Sequence, residues 1–334
     1  MSSSTRYPDP LVTANIYAST LLDDVLLHVV APFRRDVQDI SGETYLWVVR
    51  YSRGGQHLKV RVHGAPEHQD EIRKLLATRA ATFFESLRNV PPASPRVSKP
   101  SAPAIDVEDG LENEFADRSI VWTTYQRSHV TLGMEPWLSD DSFVARACEC
   151  LARGCDLALA AAESGRLQSL ATRQKLLIDL LIPALVALGL DSDEKALSYL
   201  AYHRDWLLRF FVAETAKEQQ LLRHFEEKTA AIPEALEGFR NVIGRLRAHP
   251  PDDRWSGALS EFAAYLNEFS GRSEYDLDPF TREISFPPAF KVLHGLANQI
   301  GMPPLQEAYV HHVLMSSMEA GALSVGLAAG RSAL

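Results

Sequence analysis

Four side chains able to hold or donate a proton stand at alternate positions in His57-Leu-Lys-Val-Arg-Val-His63. Strand side chains alternate between faces, so His57, Lys59, Arg61 and His63 share one face and Leu58, Val60 and Val62 the other. Like charges in a row repel unless an anion compensates them. The glycine pair just before the strand, Gly54-Gly55, lets a ligand backbone approach closely. A site for a carboxylate or a peptide backbone accounts for both features. A solvated sheet face beside neighbouring carboxylates is the plainer alternative.

Other residues also invite chemistry. His294 and Asn298 stand at i and i+4, on one face of a predicted helix. A titrating group there suits proton shuttling near neutral pH, and a packed, hydrogen-bonded core histidine is the alternative. In Tyr202-His-Arg-Asp-Trp206, Arg204 and Asp205 are adjacent and do not face each other on a helix. The cluster reads as a structural ion pair to a neighbouring helix, with Arg204 also a candidate for a substrate-cleft wall. His311 and His312 diverge by about 100° on a helix and read as surface residues. Cys148 and Cys155 share a helical face that Cys150 opposes, and no histidine at zinc-ligand spacing accompanies them. They read as small buried residues. No Gly-rich phosphate loop, nucleophile elbow or acidic metal motif is visible, so neither a cofactor nor a metal is expected.

The elements that carry these residues alternate at first. Val12–Ala18 is β-prone, and Leu22, Leu26, Val29, Val30, Phe33 and Val37 then recur at helical spacing after Asp23-Asp24. Pro32 must kink that helix or end it early. Residues 44–51 and 57–63 form a predicted hairpin across Ser52-Arg-Gly-Gly-Gln56. A second helix buries Ile72, Leu75, Leu76, Ala80, Phe83, Phe84 and Leu87. Residues 90–118 are proline-rich and then acidic, a composition for a mobile loop. Ser119–Ser128 resumes as a strand. This β-α-β-β-α-β order is ferredoxin-like. From about Asp140 the chain is helical, over 141–164, 167–188, 193–213, 215–230, 233–248, 256–270, 289–300 and 304–320, with Asp140 and Ser192 opening two of the helices. The expected class is α+β: an α/β sheet portion over 1–128 and a mostly helical portion over 129–334, integrated as one domain.

Bulk properties narrow the class further. The 334 residues are 46% apolar and 23% charged, the balance of a chain that buries a core. A net charge of -9 argues against a nucleic-acid partner. No stretch approaches the roughly 20 apolar residues that cross a bilayer, so no membrane partner is expected. The opening residues lack a basic-then-apolar export signal, which makes the cytoplasm the default.

Two segments carry a resemblance. Tyr45-Leu-Trp-Val-Val-Arg-Tyr51 with Gly54-Gly-Gln-His-Leu-Lys-Val-Arg61 resembles the hairpin of lantibiotic-dehydratase elimination domains and their stand-alone relatives in thiopeptide biosynthesis. Val292-Leu-His-Gly-Leu-Ala-Asn-Gln-Ile-Gly301 resembles the family's C-terminal helix. The opening, with Leu21-Leu-Asp-Asp-Val-Leu-Leu27 and Ala31-Pro-Phe33, resembles the stand-alone pyridine synthases.

The resemblance implies an elimination-domain-like fold and a precursor peptide with a leader segment as partner, alongside other enzymes of one pathway. Relative to the eliminases, Arg61 and His294 are kept, but Lys59 replaces an arginine and loses its bidentate fork. After Tyr125, Ser128 and Thr131 stand where the eliminases have a glutamate and an arginine. The implied reaction is therefore a formal (4+2) aza-cycloaddition of two dehydroalanines, with glutamate elimination and a non-catalytic leader-binding module as alternatives. His294, Arg61, Lys59, Tyr125 and Ser128 are the implied catalytic residues. His57, His63, Arg50, Arg127, Asn298 and Arg204 are the substrate-binding candidates.

Overall fold

Strand alternation organises the N-terminal portion. β1 (Val12–Tyr17), β2 (Tyr45–Tyr51), β3 (His57–His63) and β4 (Ser119–Trp122) form one antiparallel sheet in the order β2-β3-β1-β4. This is the strand order that a ferredoxin-like β-α-β-β-α-β chain adopts. One face carries Val12, Ala14, Ile16, Leu46, Val48, Leu58, Val60 and Val62, all inaccessible to solvent, with Arg50 at its β2 edge. The structure is a computed structural model that describes residues 12–42, 44–52, 55–63, 66–91, 115–123, 140–190, 192–212, 214–249, 253–270 and 286–331, without the side chains of 269–270 and 320–331. Most of the 90–118 loop and the strand residues beyond 123 lie outside it, as do the last three residues of the tail.

The first helical run passes through the proline. It is continuous from Leu22 to Ser41, as α1 (Leu22–Val25), a π-helical turn (Leu26–Val30) and α2 (Ala31–Ser41). Pro32 has no N–H to donate, and the wider turn, closed by Ala31 N–H on the Leu26 carbonyl, absorbs the missing bond. The proline neither ends nor shortens the helix. α3 (Gln69–Ser86) buries Ile72, Leu76 and Ala80 and packs on β1.

Helices fill the rest. α4 (Asp141–Glu163) is capped by Asp140, whose carboxylate accepts the Phe143 N–H at 2.9 Å. α5 (Leu170–Ala187) precedes α6 (Asp193–Phe211), which Ser192 caps through the Lys195 N–H. α7 (Thr215–Ala230), α8 (Pro233–Ala248), α9 (Arg254–Ser270), α10 (Phe286–Gln299) and α11 (Pro304–Arg331) follow. Cys148, Cys150 and Cys155 are all buried free thiols on α4, and burial pushes Cys155 up to about 12. The chain forms two compact units, one of Met1–Arg173 with His294–Gly301 and one of Gln174–Leu293 with Met302–Leu334.

In the first unit, residues distant in sequence meet at the β2 edge. Asn298 accepts the Arg50 N–H at 2.6 Å and donates to the Arg50 carbonyl at 3.0 Å. These are the backbone groups that an edge strand leaves unpaired. The Arg50 guanidinium donates to Asp23 of α1 at 2.7 Å and to the Gln299 carbonyl at 3.1 Å. Arg173 binds the same Asp23 carboxylate and donates to the Gly301 carbonyl at 2.9 Å. Gly301 ends the helix at φ +74°, and a Cβ there would sit 2.9 Å from the Arg50 guanidinium carbon.

Asn298→Ala removes the partner of both part-buried Arg50 backbone groups, each such hydrogen bond being worth about 0.5–1.5 kcal/mol. The variant is expected to unfold at lower urea concentration, with hydrogen-exchange protection lost first along β2.

Candidate functional site

The second face of the sheet is polar, and it is buried. His57, Lys59, Arg61 and His63 are only 0, 3, 3 and 4% exposed. Register sets their neighbours in cross-strand rows: Trp47, Arg61 and Thr13; then Val49, Lys59 and Asn15; then Tyr51, His57 and Tyr17. Aromatic rings take the place of water around these groups. The Lys59 ammonium lies 4.0 Å from the Tyr51 ring centroid, a cation–π contact that strengthens when desolvated. Trp47 stacks on His63 at 4.8 Å, and Tyr17 meets His57 at 4.5 Å.

His57 is held in one protonation state. Burial lowers it from 6.5 to about 4, aided by the Lys59 charge and opposed by its bond to the Gly55 carbonyl. That 2.8 Å contact makes Nδ1 the donor, so Nε2 is left as a bare acceptor. Nε2 is buried and has no hydrogen-bond partner among the described residues. The face thus presents a neutral imidazole acceptor beside cationic donors, a combination suited to a peptide amide or a carboxylate.

The remaining candidates fall in several places. Arg50 shares a face with its register partner Leu58, opposite the His57–His63 row, and its hydrogen bonds run to Asp23 and Gln299. Asn298 grips the Arg50 backbone. His294 is half-buried one helical turn before Asn298, on the same helix face. Tyr125, Arg127 and Ser128 lie outside the described residues.

Arg204 belongs to the second unit and corrects an expectation there. It does pair with adjacent Asp205, at 2.8 Å from Nε. Its guanidinium also reaches His312 Nδ1 at 3.5 Å.

His311 and His312 are not surface residues. They are 0 and 9% exposed, because α11 packs along α6, α7 and α8. His311 lies on the His203 ring at 4.0 Å between centroids. His203 Nε2 is 2.9 Å from the Glu307 carboxylate, and the Tyr199 hydroxyl is 2.9 Å from His203 Nδ1. Burial, then the Glu307 charge, raises Tyr199 well above its ordinary value. Tyr199 is therefore a phenol donating to Nδ1, with Nε2–H donating to Glu307. Sequence reasoning missed this chain. Its only signal is two i, i+4 pairs, Tyr199 with His203 and Glu307 with His311.

A ferredoxin-like sheet with a buried, histidine- and cation-lined face, followed by a long helical stretch, defines an α+β protein of the elimination-domain type. The family described as "Lantibiotic biosynthesis dehydratase C-term" matches residues 12–318, and the chain belongs to it. Its members modify ribosomally made peptides. Among solved structures, the fold is similar to the pyridine synthase TbtD from thiomuracin biosynthesis, with TM-score 0.65 and 16% identity over 92% of this chain and 97% of that one. It is also similar to the tRNA-dependent lantibiotic dehydratase MibB from Microbispora sp. 107891, with TM-score 0.56 and 13% identity, covering 97% of this chain and 29% of that one. TsrL matches with TM-score 0.54 and 14% identity over 92% and 94% of the two chains. No curated protein matches the sequence significantly. Among the described residues, no helix is long and apolar enough to cross a membrane.

The unfolded chain protonates His57 near pH 6.5 and the folded chain only near pH 4. Its contribution is thus complete above about 6.5 and is lost as pH falls toward 4, a swing of about 3 kcal/mol. His57→Gln is expected to flatten the stability profile between those limits, as read from urea midpoints against pH. In the second unit, His203→Ala removes the imidazole that lies 2.9 Å from the buried Glu307 carboxylate, and breaking a buried pair of this kind costs about 3–5 kcal/mol. Thermal unfolding of that variant is expected well below wild type.

Proposed function

We propose that this protein closes a ring in a dehydroalanine-bearing precursor peptide by a formal (4+2) aza-cycloaddition, with loss of water and of the leader peptide. The buried His57–His63 face carries the reading. In such a reaction one substrate amide must pass to its imidic tautomer, which then serves as an aza-diene. That step needs a proton acceptor at the amide nitrogen and a donor at the carbonyl. Neutral His57 supplies an acceptor, and Lys59 and Arg61 supply donors, on one dry face. Ring closure follows once two alkenes of one flexible peptide are held in contact, and orientation of this kind supplies about 7–11 kcal/mol. Water then leaves, and expulsion of the leader aromatises the ring. His294, Tyr125 and Ser128 are the further acid–base candidates.

Two observations support the cyclase over the eliminase. Lys59 keeps a charge but lacks the fork that grips a departing glutamate carboxylate. The fold is also more similar to a pyridine synthase, at TM-score 0.65, than to the dehydratase, at 0.56. Elimination from a glutamylated serine or threonine is the second reading, favoured by Arg61 on the buried face. The leader is recognised apart from the chemistry, by strand addition at an N-terminal edge. β4 ends the sheet order and offers such an edge among the described residues.

Incubation with a precursor carrying thiazoles and two dehydroalanines tests the proposal by mass spectrometry. Macrocycle and free leader are the expected products, and their absence refutes the cyclase. Glutamate released from a glutamylated precursor would instead establish the eliminase. Arg61→Ala and Lys59→Ala are each expected to slow ring closure by about 10²–10³, the usual effect of removing one charge-stabilising donor.

A further inference from the structure

Asn15 has no role in the sequence motifs, yet it lies at the centre of the polar face. It sits on β1 directly across from Lys59, one row from Thr13 and one from Tyr17. Its side chain is 1% exposed, and neither its amide nitrogen nor its oxygen has a hydrogen-bond partner among the described residues. The Thr13 hydroxyl, the His57 Nε2 and the Trp47 indole N–H on the same face are likewise buried without one. Native proteins satisfy nearly all buried polar groups, so several orphans on one face call for an explanation.

We infer that Asn15 is a binding residue for one backbone amide of the substrate, engaging its N–H and C=O together. The molecule already uses this recognition once: Asn298 takes the N–H and C=O of Arg50 in the same two-bond manner. Asn15 offers the identical donor–acceptor pair to a second peptide unit. A carboxamide is neutral and carries both functions, so it fits a peptide group better than a carboxylate, which only accepts. The neighbouring His57 Nε2 acceptor and Thr13 hydroxyl extend the same hydrogen-bonding surface along β3 and β1. This rests on the peptide-substrate part of the reading above but not on the ring-forming step.

The probe is a synthetic core hexapeptide carrying two dehydroalanines, with a series of analogues N-methylated at one backbone nitrogen each. Affinity for the full chain is measured by calorimetry, and thermal stability in parallel, for wild type, Asn15→Leu and the smaller Asn15→Ala. A binding role predicts affinity lower by about ten- to a hundredfold in both variants, the loss expected for two neutral hydrogen bonds. It also predicts melting temperatures unchanged or raised in Asn15→Leu, since an unsatisfied buried amide has been removed. One N-methyl analogue should bind wild type more weakly and the variants no worse than the parent peptide does. That coupling decides the matter even if a variant is also less stable. Lower melting temperature with unchanged affinity and no coupling would make Asn15 a structural residue and overturn the inference, as would failure of wild type to bind the peptide. Peptide held through Asn15 but never cyclised would leave this inference standing and remove the cyclase. Ring closure that is indifferent to Asn15 would do the reverse.

Discussion

Desolvation of the His57–His63 row is the constraint around which the first unit is arranged. A strand can place four polar side chains on one face at no backbone cost, but taking them out of water penalises every charge among them. The fold answers with rings and with protonation states. Tyr51 lies under the Lys59 ammonium, Trp47 lies against His63, and His57 gives up its proton and donates from Nδ1 to a backbone carbonyl. A face of this kind is costly to maintain and unsuited to solvation. Hydrogen bonds made in such a water-poor setting act with little competition.

The Arg50–Asp23–Arg173 junction keeps that face in register. A one-residue slip of β2 or β3 would exchange the polar and apolar faces completely. Asn298 pins the edge of β2 through the Arg50 backbone, while Asp23 joins two guanidinium groups from separate parts of the chain. The Leu-Leu-Asp-Asp opening, the Arg50-Tyr51 hairpin and the Asn298–Gly301 helix end thus meet at one point. Three segments that look like separate motifs in the sequence are contributions to a single hydrogen-bonded joint. The same joint explains why glycine stands at 301, where positive φ and the nearby guanidinium leave no room for a side chain.

The second unit holds a different polar device, buried along α6 and α11. Tyr199, His203 and Glu307 form a directed chain of donors, with the His311 ring tilted against His203. A buried carboxylate held by a neutral imidazole is weak evidence for stability, since its desolvation offsets the hydrogen bond it gains. Once formed it is sensitive to the loss of either member, so it fixes the pairing of the two helices more than it strengthens them.

Much of this was legible in the residues themselves. Alternation placed His57, Lys59, Arg61 and His63 on one face, the order of strands and helices implied the ferredoxin-like sheet, and Asp140 and Ser192 marked helix starts that the structure keeps. Those features are local, depending on a few consecutive residues and on periods of two or 3.6. Tertiary structure alone decided whether the cationic face met water or the interior, because burial depends on what packs over a strand. It alone placed Asn15 opposite Lys59, turned Asn298 onto a strand edge 248 residues earlier, and drew His311 and His312 out of solvent. Each of these follows from contacts between residues far apart in the chain, and no local spacing encodes them.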